Sequence, residues 1–225
     1  MTRLSCQTVQ AVIFDMDGVL VDSEPLYMRV ERQSFARHGV FLAPADQDRF
    51  VGTSQRQMWQ TIRQEYGLEA ELDTLIAEHQ QAVLAALRQQ PLPAMPGVAD
   101  LLAALAAAGK PCALASSSPR ALVETMLETI GLSTCFSQTV CGDEVRLSKP
   151  EPDIFLQAAD RLGVAPAHCL VIEDSAHGVT AAKAAGMPCI GLQNPNSGNQ
   201  SLAAADWCCH SHEEIYQQLL RGCHV

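Results

Sequence analysis

The sequence is poor in positive charge and in aromatic side chains. It has 15 lysines and arginines against 25 aspartates and glutamates, a formal net charge of -10, and its only lysines are Lys110, Lys149 and Lys183. Because a nucleic-acid surface needs basic patches to contact phosphates, this balance argues against a nucleic-acid partner. Aromatic residues make up 5% of the chain and apolar residues 48%, so we expect a large core built mainly from Ala, Leu and Val.

Long apolar runs and CxxC cysteine pairs are also missing. No apolar stretch is long enough to cross a bilayer, and Asp15 would interrupt a signal core, so we expect a soluble, cytoplasmic protein with no membrane partner. Cys112, Cys169 and Cys189 fall in predicted buried strands, where cysteine is a small apolar filler. The adjacent Cys208-Cys209 are predicted to be reduced thiols on a strand rather than a redox pair.

Strands and helices alternate along most of the chain. Short apolar runs predict buried strands at residues 9–14, 111–115, 138–141, 169–172 and 187–192. Between them lie amphipathic segments that end at glycines, as helices commonly do. Ser118 is predicted to cap a helix with Pro119 at its first position, and Ser211 with Glu214 forms a predicted capping box. This alternation predicts an α/β fold with a doubly wound parallel sheet.

A segment of about seventy residues interrupts this alternation. From Ser23 to Ala94 the pattern is purely helical, with Gly39, Gly52 and Gly67 as breaks, and prolines close it. We therefore predict a helical cap domain over residues 23–94, inserted into a core domain formed by residues 1–22 and 95–225. The connections near residues 21–23 and 91–93 are predicted hinges for a rigid rotation of the cap that excludes water from a site beneath it.

Polar residues follow the predicted core strands, where open parallel sheets place their ligands. Asp15 and Asp17 end the first strand and Ser116-Ser117-Ser118 the second, Glu173-Asp174 end the fourth, and a loop carries Lys149. The set supplies a nucleophile, a proton donor, phosphate-binding groups and acids for a metal, as phosphoryl transfer requires. Carboxylates that lie so near to one another repel unless a cation lies between them. The expected cation is Mg²⁺, which binds carboxylates together with phosphate oxygens and water.

Other residues are open to two interpretations. Glu24 and Asp22 are predicted hinge or cap-edge residues, although Glu24 could approach the site. His177 is interpreted as a helix-start residue, and Arg120 either reaches an anionic substrate or is an exposed helix residue. Among cap residues, Tyr27, Gln55 and Trp59 are candidates for substrate contact, with core packing favoured for Trp59.

In these motifs the chain resembles the haloacid dehalogenase superfamily, in particular its phosphatases and phosphomutases with a helical cap after the first motif. The residues that carry the resemblance are Asp15-Met16-Asp17-Gly18-Val19, Ser116, Lys149-Pro150 and Glu173-Asp174-Ser175, in the order and spacing of the family. The resemblance covers nearly the whole chain and implies a Rossmann-like core.

The resemblance also implies roles for these residues. Asp15 would be the nucleophile that forms an aspartyl-phosphate, and Asp17 would protonate the leaving group and then activate water. Asp15, the backbone carbonyl of Asp17, and Asp174 would hold Mg²⁺, with Glu173 assisting. The substrate phosphate would bind Ser116, Ser117 and Lys149, aided by backbone amides that follow Asp15 and Ser116.

Departures from the family's patterns narrow the expected activity. Asp17 argues against dehalogenases, which lack this second acid, and no lysine lies in the insert to form the Schiff base of phosphonoacetaldehyde hydrolases. β-Phosphoglucomutases carry a histidine at the place of Tyr27, an arginine near Gln55, and Lys-Asn where Pro119-Arg120 stand. The expected function is a Mg²⁺-dependent phosphatase for a small phosphate ester, such as a sugar phosphate.

Two alternatives remain beside the phosphatase. One is a β-phosphoglucomutase-type phosphosugar mutase, and the other is a homologue that binds a phosphometabolite without catalysis. We expect a monomer by default.

Overall fold

The computed structural model describes residues 8–50, 53–198 and 200–220. Its strands form a single six-stranded sheet: β1 (Ala11–Phe14), β2 (Cys112–Ser116), β3 (Gln138–Cys141), β4 (Cys169–Glu173), β5 (Cys189–Leu192) and β6 (Trp207–Cys209). Their order is β3-β2-β1-β4-β5-β6, and every neighbouring pair is parallel. The predicted doubly wound parallel sheet is therefore confirmed, with β1 at its centre.

Helices fall into an inserted group and a core group. The inserted group, between β1 and β2, comprises α1 (Glu24–Arg37), α2 (Pro44–Gln47), α3 (Gln55–Tyr66) and α4 (Leu72–Gln89). The core group comprises α5 (Val98–Ala107), α6 (Arg120–Thr129), α7 (Asp153–Leu162), α8 (Ala176–Ala184) and α9 (His212–Leu220). The predicted helical insert is present, while its limits at residues 23 and 94 stay a prediction.

Side chains of β1 alternate between two apolar layers, because successive strand residues point to opposite faces. Val12 and Phe14 pack in the layer that contains residues of α5, α6 and α9, whereas Ala11 and Ile13 pack in the layer that contains residues of α7 and α8. All four side chains are buried. The functional groups that follow β1 are thus anchored by a strand that is covered on both faces.

The insert has an apolar core of its own and also packs on the sheet domain. Trp59 is fully buried beside Phe35, with ring centroids 5.1 Å apart, which confirms its predicted packing role. Val83 and Leu87 of α4 belong to the same apolar cluster as Met126 of α6. The two connections run side by side, since the amide of Met95 donates to the carbonyl of Leu20 at 2.8 Å. The rigid rotation of the cap stays a prediction.

One predicted helix cap is wrong. The helix α6 begins at Arg120 after Pro119, and Ser118 makes no cap; its hydroxyl donates instead to Asp17, at 3.1 Å. The predicted capping box at α9 is half formed. Ser211 accepts from the amide of Glu214, whereas the Glu214 carboxylate accepts from the amide of His210.

The cysteines of the described strands lie as the sequence predicts. Cys112, Cys169 and Cys189 are buried in strands, and Cys208 and Cys209 are free thiols of β6.

Within the described residues, no helix combines the length and the apolar character needed to span a bilayer. Gly52, a predicted break in the insert, lies outside the described residues.

Candidate active site

A cavity of about 760 Å³ lies between the carboxyl edge of the sheet and the inserted helices. From the sheet domain, its lining includes Asp15, Asp17, Lys149, Glu173 and Asp174. These are the groups that the sequence predicts to converge, and they do so because β1 and β4 are parallel neighbours that end together. The volume is within the usual range of small-molecule sites, roughly 300–1,000 Å³.

Lys149 is the buried cation of this cavity. Its Nζ lies 2.5 Å from Oδ1 of Asp15 and 2.7 Å from Oε1 of Glu173, and it also donates to the carbonyl of Ala115 at 3.2 Å. Burial alone would lower the pKa of Lys149, but the carboxylates of Asp15 and Glu173 outweigh burial and raise this pKa above its ordinary value. Lys149 therefore stays charged and fixes the position of Asp15.

Asp15, Glu173 and Asp174 form a compact acidic group. One carboxylate oxygen from each lies within 4.8 Å of the others, and all three side chains are buried. Burial, with the charges of Glu173 and Asp17, raises the pKa of Asp15 to about 7 against the opposing effect of Lys149. Burial, with the charges of Glu173 and Asp15, also raises the pKa of Asp174 well above its usual range. A cation among these oxygens would relieve the repulsion.

The donor set fits a hard divalent cation. Carboxylate oxygens are the ligands that Mg²⁺ prefers, and the group offers neither the thiolates nor the imidazoles that favour zinc. Gly18 keeps the space beside Asp174 open, because a Cβ at this position, where φ is +76°, would lie 1.8 Å from Oδ2 of Asp174. Ser197 donates to the same oxygen and orients it.

Asp17 is held separately from the acidic group. Its Oδ1 accepts from Ser23 at 2.6 Å and from Tyr27 at 2.7 Å, and its Oδ2 accepts from Ser118 at 3.1 Å. Two of these donors come from the start of the insert and one from the sheet domain. Sequence reasoning did not find this arrangement. The available signal was that Tyr27 follows Ser23 by four residues, so that the N-cap of α1 and a residue of its first turn lie on the same side of the helix.

Ser116 and Ser117 occupy the loop after β2. Ser116 is fully buried, and its Oγ accepts from the amide of Ser118 at 3.1 Å. Ser117 lines the cavity, and its carbonyl approaches Gly142 so closely that a Cβ there would lie 2.0 Å from the oxygen. Their predicted phosphate contacts stay a prediction.

Arg120 does not contribute to the cavity. It donates to Glu144 at 2.7 Å, to Glu124 at 3.3 Å and to the carbonyl of Thr139 at 3.2 Å, and it is absent from the cavity lining. These contacts favour the interpretation of Arg120 as a helix residue over that of a contact for an anionic substrate. The other open candidates, Glu24, Tyr27, Gln55 and His177, all line the cavity.

The cavity thus brings together a carboxylate held by a buried lysine, an acidic group of metal-binding type and a second acid two residues later, and such a set is chemically suited to phosphoryl transfer. The family model of the haloacid dehalogenase-like hydrolases matches residues 9–186. The chain belongs to this family.

Similar proteins indicate the branch of the family. The chain is 35% identical over 87% of its length to a bifunctional riboflavin kinase/FMN phosphatase of Arabidopsis thaliana, of which it spans about half, 51%. It is 34% identical to a phosphoglycolate phosphatase of Escherichia coli O157:H7, over 83% of the chain and 82% of the relative. A Thermotoga maritima structure assigned as a β-phosphoglucomutase superposes with a TM-score of 0.75 at 31% identity, covering 94% and 97% of the two chains. The protein is a phosphatase of the phosphoglucomutase/phosphatase branch.

Proposed function

We propose that the protein is a Mg²⁺-dependent phosphatase that hydrolyses a small phosphorylated metabolite, most simply a sugar phosphate, through an aspartyl-phosphate on Asp15. The observation that carries the proposal is the position of Asp15, held by Lys149 at 2.5 Å beside Glu173 and Asp174. Asp15, Asp174 and the backbone carbonyl of Asp17 would hold the ion, with Glu173 assisting. Bound there, Mg²⁺ would neutralise charge on the phosphoryl oxygens.

The first half-reaction transfers the phosphoryl group to the protein. A carboxylate oxygen of Asp15 attacks phosphorus, the bond from phosphorus to the ester oxygen breaks, and Asp17 gives its proton to the departing alkoxide. Lys149, Ser116 and Ser117 bind the phosphoryl oxygens. Ser23, Tyr27 and Ser118 donate to the Asp17 carboxyl and restrain it, and in the proposed reaction they would orient it for this proton transfer.

The second half-reaction releases phosphate. Asp17 takes a proton from a water molecule, the water oxygen attacks phosphorus, and the bond from phosphorus to the Asp15 oxygen breaks. Asp15 is regenerated as a carboxylate and Asp17 as an acid. Ser23 directly precedes α1 and Tyr27 belongs to it, and both donate to Asp17. The position of the insert therefore affects the proton transfer as well as access to the cavity.

A panel of phosphate esters with and without Mg²⁺ tests the function. We expect phosphate release from at least one sugar or polyol phosphate with Mg²⁺, and loss of release when EDTA removes the ion. Absence of release from every ester in the presence of Mg²⁺ would contradict the proposal. A parallel isomerisation assay with β-glucose 1-phosphate distinguishes the mutase alternative, which the resemblance to the Thermotoga structure keeps in view.

A further inference from the structure

The insert side of the cavity carries acids that the proposed reaction does not use. Glu24 and Glu31 both line the cavity from α1. Glu31 accepts a hydrogen bond from Nε2 of Gln47 at 2.8 Å, and the same amide donates to the carbonyl of Met28 at 2.7 Å. Within the described residues, no side chain or amide donates to the Glu24 carboxylate. Glu31 is therefore held in place by a buried glutamine, while the Glu24 carboxylate lines the cavity without a donor from the described residues.

Glu24 is partly buried near other acids on this side of the cavity. Burial, with the charges of Glu31, Asp17 and Asp22, raises the pKa of Glu24 to about 7. A ligand hydroxyl would give Glu24 the hydrogen-bond donor that the described residues do not supply.

Cationic groups on this side of the cavity are few in the described residues, and the arginine among them is solvent-exposed. Among the arginines and lysines in the described part of the insert, only Arg56 lines the cavity. Arg56 is paired with Asp73 at 2.5 Å, and 61% of the Arg56 side chain is exposed. Burial, followed by the charge of Arg37, lowers the pKa of His79 to about 4, so this imidazole is neutral near pH 7. Lys149 is bound to Asp15 and Glu173 on the opposite side.

Neutral polar side chains complete this side of the cavity. They are Thr53, Ser54, Gln55 and Gln80. We propose that Glu24 and Glu31, with these neutral groups, select a leaving alcohol that is uncharged and carries several hydroxyls, and reject one that carries a carboxylate or a second phosphate. This selection rests on the proposed phosphatase function, because it concerns the group that leaves with the ester oxygen.

The physical basis is a difference between hydroxyls and anions at the same carboxylates. A hydroxyl can form a hydrogen bond with Glu24 or Glu31 in either protonation state, whereas a carboxylate or phosphate there meets like charge from the ionised glutamates in a partly desolvated site. The chain should accordingly differ in preference from its phosphoglycolate phosphatase relative, whose named substrate carries a carboxylate.

The test compares two esters that differ at one carbon: sorbitol 6-phosphate, which ends in a CH₂OH group, and 6-phosphogluconate, which ends in a carboxylate. We expect kcat/KM to favour the polyol ester by at least about tenfold, as for a like-charge contact. In the double variant E24Q/E31Q the ratio should fall toward one, mainly through faster turnover of 6-phosphogluconate. The control E128Q removes an exposed charge of α6 outside the cavity lining and should leave the ratio unchanged.

Failure of the inference and failure of the proposed function give different results. If p-nitrophenyl phosphate and all other esters resist hydrolysis, the proposed function fails, and calorimetric binding of the same two esters then tests the selectivity directly. If esters are hydrolysed but 6-phosphogluconate equals or exceeds sorbitol 6-phosphate, the selectivity is overturned while the phosphatase stands. An unchanged ratio in E24Q/E31Q, in protein with native circular dichroism, overturns the assignment to these two residues.

Discussion

Replacing Asp15 by asparagine is expected to lower phosphate release by at least about 10⁴-fold, because a carboxamide cannot act as the nucleophile. The variant should fold, since the amide keeps the shape of the side chain and its carbonyl oxygen still accepts from Lys149 at the wild-type position. Steady-state phosphate release under saturating Mg²⁺ and substrate measures the effect.

The control for this variant is Asp100→Asn, the same change on an exposed acid of α5 outside the cavity lining, which should keep wild-type turnover. Residual release above about 1% of wild type in D15N would show that Asp15 is not the nucleophile. Calorimetry separates the alternative of a non-catalytic binder, for which D15N would bind a phosphate ester about as the wild type does while neither protein turns it over.

Replacing Lys149 by alanine is expected to affect both stability and turnover. The substitution leaves the carboxylates of Asp15 and Glu173 buried without their cation, and breaking one partner of a buried ion pair costs about 3–5 kcal/mol. For a chain of this size, that cost corresponds to a Tm lower by roughly 10 °C. Turnover should fall by about 10²–10³-fold, because a charged donor to the phosphoryl oxygens is lost. Calorimetric unfolding and phosphate release measure the two effects.

Lys183→Ala provides the matched comparison. Lys183 pairs with Asp206 at 2.6 Å, but their side chains are 37% and 32% exposed, and such pairs contribute only about 0–1 kcal/mol. We expect a small change in Tm and unchanged turnover. Equal Tm losses in the two variants would show that the Lys149 contacts are not the buried ion pairs described above.

The gathering of polar residues at one edge of the sheet was predictable, because the carboxyl ends of parallel strands all lie at the same edge. The carboxyl ends of β1, β2 and β4 had to meet once the strands were recognised, so Asp15, Ser116 and Glu173 were expected at one edge. The acidic group of Asp15, Glu173 and Asp174 follows from the same rule. Burial on both faces of β1 was also readable from its continuous apolar run.

The surroundings of Asp17 were not predictable in this way. Ser118 has the local sequence of a helix cap, and the competing bond to Asp17 joins residues 101 positions apart, which no local pattern shows. The contact from Tyr27 depends on the angle at which α1 leaves the sheet. The packing of α4 on α6 was not predictable either, because periodicity identifies the apolar face of α4 but not the helix that this face covers.

The most direct test of the central claim is a crystal structure grown with Mn²⁺, as an anomalous scatterer in place of Mg²⁺, and beryllium trifluoride, as a mimic of the phosphoryl group. The account predicts an anomalous peak within coordination distance of the Asp15 and Asp174 carboxylates, beryllium bonded to an Oδ of Asp15, and Lys149 in contact with a fluoride. An ion bound elsewhere, or a fluoride complex attached to a residue other than Asp15, would contradict it.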